Sequence, residues 1–196
     1  MYLRHPLFLK FINALKEGCS EKSSEFRNFA FSNSSGEKVS SRIVVLRDFI
    51  EKNNSILFFS DLRSPKIKAI LKKKATTCLF YSKQVDLQMR VATSSQLITE
   101  KDLVDKYWET VPIISRKAYL TIKPPSSNSE VRTDGLPDEF FANASSHSNA
   151  KKARENFAVV ENIIKEVDIL SLRSNSYSRA KFVFQKDKID ITWLVP

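Results

Sequence analysis

Three short stretches gather groups able to hold an anion: Arg42-Ile43-Val44-Val45-Leu46-Arg47, then Phe58-Phe59-Ser60-Asp61, then Arg63-Ser64-Pro65-Lys66. On an extended strand Arg42 and Val44 point to one face and Ile43, Val45 and Arg47 to the other. Cations then stand at both ends of an apolar surface against which a flat ring can lie. Ser64 followed by Pro65 marks a helix start, where unpaired N–H groups and the positive end of the helix dipole attract phosphate. Ser60 and Ser64 add hydroxyls there, and Arg63 and Lys66 add charge-assisted donors. Each piece alone has an ordinary explanation, since Ser-Pro often opens a helix and a strand-end arginine is usually solvated. Their order and spacing together carry the chemistry.

The elements that must position these groups follow from periodicity and punctuation. Leu7, Phe8, Phe11, Ile12 and Leu15 give an amphipathic helix over 6–17, with Gly18 as its stop. Strands are expected at 26–31, at 41–49 after the turn Asn33-Ser34-Ser35-Gly36, and at 56–60. The helix opened by Pro65 buries Ile67, Ile70 and Leu71 and ends in Lys72-Lys73-Lys74. Strands at 76–82 and 87–98 flank a four-residue hairpin loop. Thr99 with Asp102 reads as a capping box for a helix through Trp108. Residues 123–149, rich in Pro, Ser, Asn and Asp, read as a mobile loop. Phe157, Val160, Ile163, Ile164 and Val167 then recur at helical spacing, followed by strands at 167–172, 181–185 and 189–195. The sum is one domain over 1–196, mainly β, a β-barrel with flanking helices rather than an alternating parallel sheet.

Composition excludes several chemistries. With 196 residues and only three glycines, the chain has room for one core and no glycine-rich phosphate loop of the P-loop or Rossmann kind. His5 and His147 stand apart from Cys19 and Cys78, so no metal constellation can be written, and the cysteines form no redox pair. No apolar run approaches the roughly 20 residues of a membrane span, and no membrane partner is expected. A soluble protein of a reducing cytoplasm fits. The net charge of +10 predicts attraction to anions. Nucleic acid is one such partner, through Lys66, Lys68, Lys72, Lys73 and Lys74 with Phe80 and Tyr81 nearby. It is the disfavoured one, because these lysines crowd a helix C-terminus, where cations suit the dipole anyway.

Taken in order, Arg42 to Arg47, Phe58 to Lys66 and Gln88-Met89-Arg90-Val91 resemble the pattern of the pyridoxamine 5′-phosphate oxidase-like family. That pattern runs R-x-V-x-L-[KR], F-[YF]-[TS]-[ND]-x-x-S-x-K and Q-x-[RM]-V. The resemblance spans 26–119 and, in outline, 167–196. It implies an FMN-binding split barrel that works as a homodimer. By the same resemblance Arg42 and Lys66 hold the FMN phosphate with Ser60 and Ser64. Backbone at Ile43, Val44 and Val45, with Arg47, Phe59 and Gln88, lines the ring and its ribityl chain. The expected function is an FMN-dependent oxidoreductase on an unidentified small substrate, with no catalytic side chain identified. The alternative is a flavin- or anion-binding module without turnover.

The departures concern the second subunit and the substrate. Family members complete the site through Lys-Gln-Ser-Ser from the partner, where this chain has Lys123-Pro124-Pro125-Ser126-Ser127. An arginine and an Arg-x-His pair grip phosphorylated pyridoxine in the true oxidases. Here Val111 and Tyr177-Ser178-Arg179 stand instead, and Ile169-Leu170-Ser171 replaces a tryptophan that stacks near FMN. A poor pyridoxine 5′-phosphate oxidase is the expectation.

Overall fold

The computed structural model describes residues 5–137, 147–172, 177–186 and 188–196. Period-two burial makes the strands: in β5 (Ala75–Ser82) Thr76, Cys78, Phe80 and Ser82 are buried while the residues between them are exposed. One antiparallel sheet joins it to β1 (Asn28–Ser35), β2 (Lys38–Val45), β3 (Asp48–Ile50), β4 (Ser55–Asp61), β6 (Leu87–Leu97), β7 (Phe157–Ser171), β8 (Ser178–Phe184) and β9 (Ile189–Leu194). The strand order is β2-β1-β5-β6-β7-β4-β3, with β8 on β7 and β9 on β8. β7 is the organising strand. It pairs with β4 through its first half, with β8 through its second, and with β6 along its length.

The concave side encloses Phe29, Phe31, Phe58, Phe80 and Phe182, covered by α1 (Pro6–Ser20) and α2 (Pro65–Lys72). A second apolar cluster, with Leu57, Trp108, Val111, Phe157 and Val159, lies under α3 (Lys101–Glu109), α4 (Ile113–Arg116) and α5 (His147–Asn156). The architecture is the expected mainly β barrel with flanking helices. Among the described residues no helix is long and apolar enough to cross a membrane.

Several expectations are corrected. The helix read from Phe157 to Val167 is strand β7. Its inward residues are Ala158, Val160, Asn162 and Ile164, then Val167, Ile169 and Ser171, because a bulge opposite Ala92 and Thr93 leaves Lys165 unpaired and flips the parity. Phe157 and Val159, on the other face, are buried too, in the second cluster. Burial on both faces plus a parity flip produces apolar spacings of three and four, which imitate a helix. The single strand expected over 41–49 is β2 and β3 with a corner between: Leu46 N–H donates to Arg27 O at 2.7 Å and Arg47 N–H to Leu57 O at 2.9 Å. Glu100, not Thr99, caps α3, and without a side-chain bond. In the expected 123–149 loop, residues 123–137 carry no helix or strand, α5 begins at His147, and 138–146 lie outside the described residues.

Gly18 does not stop α1, which runs on to Ser20. It permits a close approach: a Cβ there stands 2.7 Å from Phe26 O and 3.0 Å from Leu46 Cδ2. Neither the backbone oxygen nor the fully buried leucine can give way cheaply. Gly18→Ala is expected to destabilise the protein by about 1–3 kcal/mol, measured as a lower midpoint in urea unfolding; an unchanged or higher midpoint refutes the close packing of α1 on the β1 entry.

Candidate functional site

β2 ends the strand order, so among the described residues one of its edges has no strand partner. Beside it lies a cavity of about 320 Å³, lined by Arg42, Ile43, Val44, Val45 and Arg47, by Phe59, Ser60 and Asp61 of β4, by Lys66, and by Ala118, Tyr119 and Pro125. Eight of the ten residues singled out from the sequence thus meet at one place. Ser64 adjoins them through hydrogen bonds. Gln88 does not: it lies on β6, opposite Tyr81 of β5 and Leu170 of β7, and lines no part of the cavity.

At one end Lys66 Nζ donates to Ser60 Oγ at 3.1 Å and to Ser64 Oγ at 3.2 Å, and the two hydroxyls are 3.2 Å apart. Ser64 occupies the N-cap of α2, yet its side chain makes no capping bond. Its hydroxyl is held by Lys66 instead, and the helix's first N–H groups gain nothing from it. Burial, then the nearby charge of Arg42, holds the Lys66 ammonium below the ordinary lysine range. Arg42 itself is anchored by Asn33, by Ser40 Oγ at 2.6 Å and by Phe31 O at 3.3 Å, all uncharged acceptors.

The one carboxylate in the lining is already engaged. Asp61, buried, accepts from the Arg63 backbone N–H at 2.8 Å and from Arg63 Nε at 3.1 Å and Nη2 at 2.7 Å. Arg63 also reaches Thr121 O at 2.9 Å and Thr121 Oγ1 at 3.0 Å. Arg63 is therefore not a cation of the cradle. It pairs with Asp61, whose charge still reaches Lys66 and opposes the lowering there, and it ties the segment after Tyr119 to the start of α2. No carboxylate among the described residues lies within ion-pair distance of Arg42, Arg47 or Lys66.

At the other end the Arg47 guanidinium sits 5.2 Å from the Phe59 ring centroid. Its Nε is buried and has no acceptor. A buried donor left unpaired costs roughly 1–3 kcal/mol, which a ligand acceptor relieves. Tyr119 closes this end, its phenol pushed up to about 12 by burial, with the Arg47 charge opposing and Asp61 adding to the shift. The cavity as a whole offers hydroxyls and cations to an anion at one end and aliphatic β2 side chains with two aromatic rings to a flat apolar group at the other. Those residues fit a flavin mononucleotide in both halves.

Sequence reasoning missed Tyr119 and Ala118 as wall residues, because only the tertiary return of the chain after α4 brings them to β2. Pro125, in the stretch that family members direct toward a partner subunit, lines the cavity of its own chain.

The sequence profile described as "Pyridoxamine 5'-phosphate oxidase, FMN-binding domain" matches residues 8–99. Among solved structures, a pyridoxamine 5′-phosphate oxidase-related, FMN binding protein from Nostoc punctiforme PCC 73102 is similar with a TM-score of 0.77 at 20% identity, over 98% of each chain. PhzG from Burkholderia lata 383, solved with tetrahydrophenazine-1-carboxylic acid, gives 0.71 at 15% identity over 100% of this chain and 96% of that one. A Listeria innocua protein described as a putative pyridoxamine 5′-phosphate oxidase gives 0.51 at 10% identity over 82% and 94%. At such identities the likeness is one of fold, that of the split barrel. No curated protein sequence matches the chain.

The Asp61–Arg63 pair makes its own prediction. Arg63→Ala leaves a buried, uncompensated carboxylate and is expected to cost about 3–5 kcal/mol in urea unfolding. Removing both partners, as Asp61→Asn with Arg63→Ala, should cost clearly less than Arg63→Ala alone. Additive losses in this double-mutant cycle refute the pairing.

Proposed function

We propose that this chain, which through residues 8–99 belongs to the pyridoxamine 5′-phosphate oxidase-like family of FMN-binding split barrels, binds FMN in the β2–β4 cavity and acts as an FMN-dependent oxidoreductase. One observation carries the reading: Lys66, held by two hydroxyls and facing Arg42 with no carboxylate in reach, forms a dianion site at the foot of an apolar slot. Lys66 and Arg42 hold the phosphate with Ser60 and Ser64. The backbone of Ile43, Val44 and Val45, with Arg47 and Phe59, lines the ring. Bound flavin supplies hydride or electron transfer, and the protein's part is to orient it and keep the ring side dry. The same geometry serves a flavin carrier without turnover, and reoxidation of the reduced flavin by added acceptors separates the two.

Specificity for FMN follows from one phosphate site and no second. FMN titration followed by flavin fluorescence should show riboflavin binding far more weakly. Arg42→Ala and Lys66→Ala should each weaken FMN by about 1.5–3 kcal/mol, while Lys73→Ala, at an exposed residue outside the cavity, should change nothing. Wild-type affinity should fall as pH rises through the lowered Lys66 value, where the ammonium loses its charge, and Lys66→Gln should abolish that fall. Equal weakening by all three alanine variants refutes the cradle and leaves only general electrostatics.

Gln88 can take part only from a second copy. Beside it stands Tyr81, and Leu79 lies one row on, cross-strand through Ala30 to Ile43 at the cavity mouth. Ile43, Leu79 and Tyr81 are 67%, 37% and 51% exposed. An apolar row running from the cavity to Gln88 suits a two-fold interface, in which each copy's Gln88 meets the other's cavity. Tyr81→Asp combined with Leu79→Asp should halve the mass measured by light scattering and weaken FMN together; a dimer that persists with FMN unaffected refutes the arrangement.

The reading does not extend to oxidation of phosphorylated B6 vitamers. Val111 is buried in the second apolar cluster. Arg179 is committed to Asp168 at 2.9 and 2.8 Å. Neither is available to grip a substrate phosphate.

A further inference from the structure

A groove of about 500 Å³ that shares no lining residue with the β2–β4 cavity crosses β1, β5 and β6. Small side chains open it: Ser32, Thr77 and Ala92 are cross-strand neighbours in one row, with Ser34 and Ala75 beside them. Two lysines from distant parts of the chain line it as well. Lys73 is the residue that caps α2, and Lys165 is the extra residue of the β7 bulge, a device that re-aims a side chain out of the ladder. Both are exposed, and neither lies within ion-pair distance of a carboxylate among the described residues. No acidic residue lines the groove. The lysines expected from the sequence to act as one basic stripe therefore part company, with Lys66 in the β2–β4 cavity, Lys73 here, and Lys68 and Lys72 in neither.

Neutral polar groups accompany the two charges. The Ser34 and Thr77 hydroxyls have no side-chain hydrogen bond among the described residues. Asn33, only 4% exposed, gives its Oδ1 to Arg42, which leaves its amide N–H groups as what it can offer. Thr76 and Thr93, 7% and 4% exposed, bond each other at 2.7 Å and fix the floor between β5 and β6. Two cations with no acid among them suit an anion of two charges. An inorganic phosphate, with four water-sized oxygens at roughly 30 Å³ each, fills only about a quarter of the space. Hydroxyls on the rest of a larger ligand can both donate to and accept from Ser34 and Thr77. No aromatic side chain lines the groove, so a nucleobase finds nothing to stack on. We infer that the groove is an anion site for a small sugar phosphate, its phosphate held by Lys73 and Lys165 and its hydroxyls by Ser34, Thr77 and Asn33. The site is independent of the flavin reading.

The test titrates ribose 5-phosphate, ribose, inorganic phosphate and AMP by calorimetry into the full chain loaded with one equivalent of FMN. The same titrations into the Lys66→Ala chain without FMN keep the outcome from hanging on flavin binding. Ribose 5-phosphate should bind about tenfold tighter than ribose or inorganic phosphate, and AMP no tighter than ribose 5-phosphate. Lys73→Ala and Lys165→Ala should each weaken it about tenfold, the worth of one charge-assisted bond, with the circular dichroism unchanged. Thr77→Val should narrow its lead over inorganic phosphate, and Lys68→Ala, at an exposed residue outside the groove, should change nothing. Ribose 5-phosphate binding of this pattern in a chain that fails to bind FMN upholds the groove and sinks the flavin reading. Equal weakening by Lys68→Ala, inorganic phosphate or AMP binding tightest, or no binding at all overturns the inference and leaves the flavin reading standing. So does retention on single-stranded DNA that is lost with Lys73 and Lys165 while ribose 5-phosphate fails to bind, which would assign these lysines to a nucleic acid.

Discussion

Three half-buried cations, Arg42, Arg47 and Lys66, share one cavity without an anion of their own. Burying like charges together is unfavourable, and burial visibly strains each of them, lowering the pKa of all three. The surrounding structure is arranged to bear this. Asn33, Ser40, Ser60 and Ser64 lend neutral oxygens, Phe31 and Phe59 lend ring faces, and Arg63 pairs with the single carboxylate of the lining. A stability-optimised protein would place an acid here. Its absence, in a cavity that has one nearby and ties it down, leaves the three cations open to an outside anion.

The cradle was legible in the sequence because it is local. Residues 42–47, 58–61 and 64–66 fall on two strands and a helix start that the chain visits in succession, so period-two alternation and the Ser-Pro signal were enough to bring them together. The parts that local reasoning could not place are those set by distant partners. Gln88 carries the right residue type in the right pattern, yet β6 is separated from β4 by β7, and no amount of local reasoning reveals which strand slips between. Arg63 was read as a phosphate cation because proximity in sequence says nothing of where the Asp61 carboxylate turns. β7 was misread for a different reason: its bulge and its two buried faces erase the alternation on which strand recognition depends.

The Arg47–Phe59 end of the cavity depends on the corner that the chain turns between β2 and β3. Leu46 plugs into the barrel core while its N–H reaches back to Arg27, and the next residue reaches forward to Leu57. The corner puts Arg47 and Asp48 on adjacent positions but in different surroundings, one against an aromatic face and one against a phenol. A continuous strand through 41–49 would have left them on opposite faces of a flat ribbon.

The position of β7 in the chain has a consequence for how the protein comes into being. All the strands of the cradle are synthesised within the first third of the sequence, yet β4 and β6 acquire their common neighbour only when residues 157–171 emerge. Until then two strands that carry Ile56, Leu57, Phe58, Met89 and Val91 present open edges, the situation most prone to pairing with another chain. Long-range closure of this kind is slow, because the loop must be paid for entropically before the strand rewards it. The nascent chain therefore spends its most vulnerable interval with the cradle residues already made and the strand that fixes them still on the ribosome.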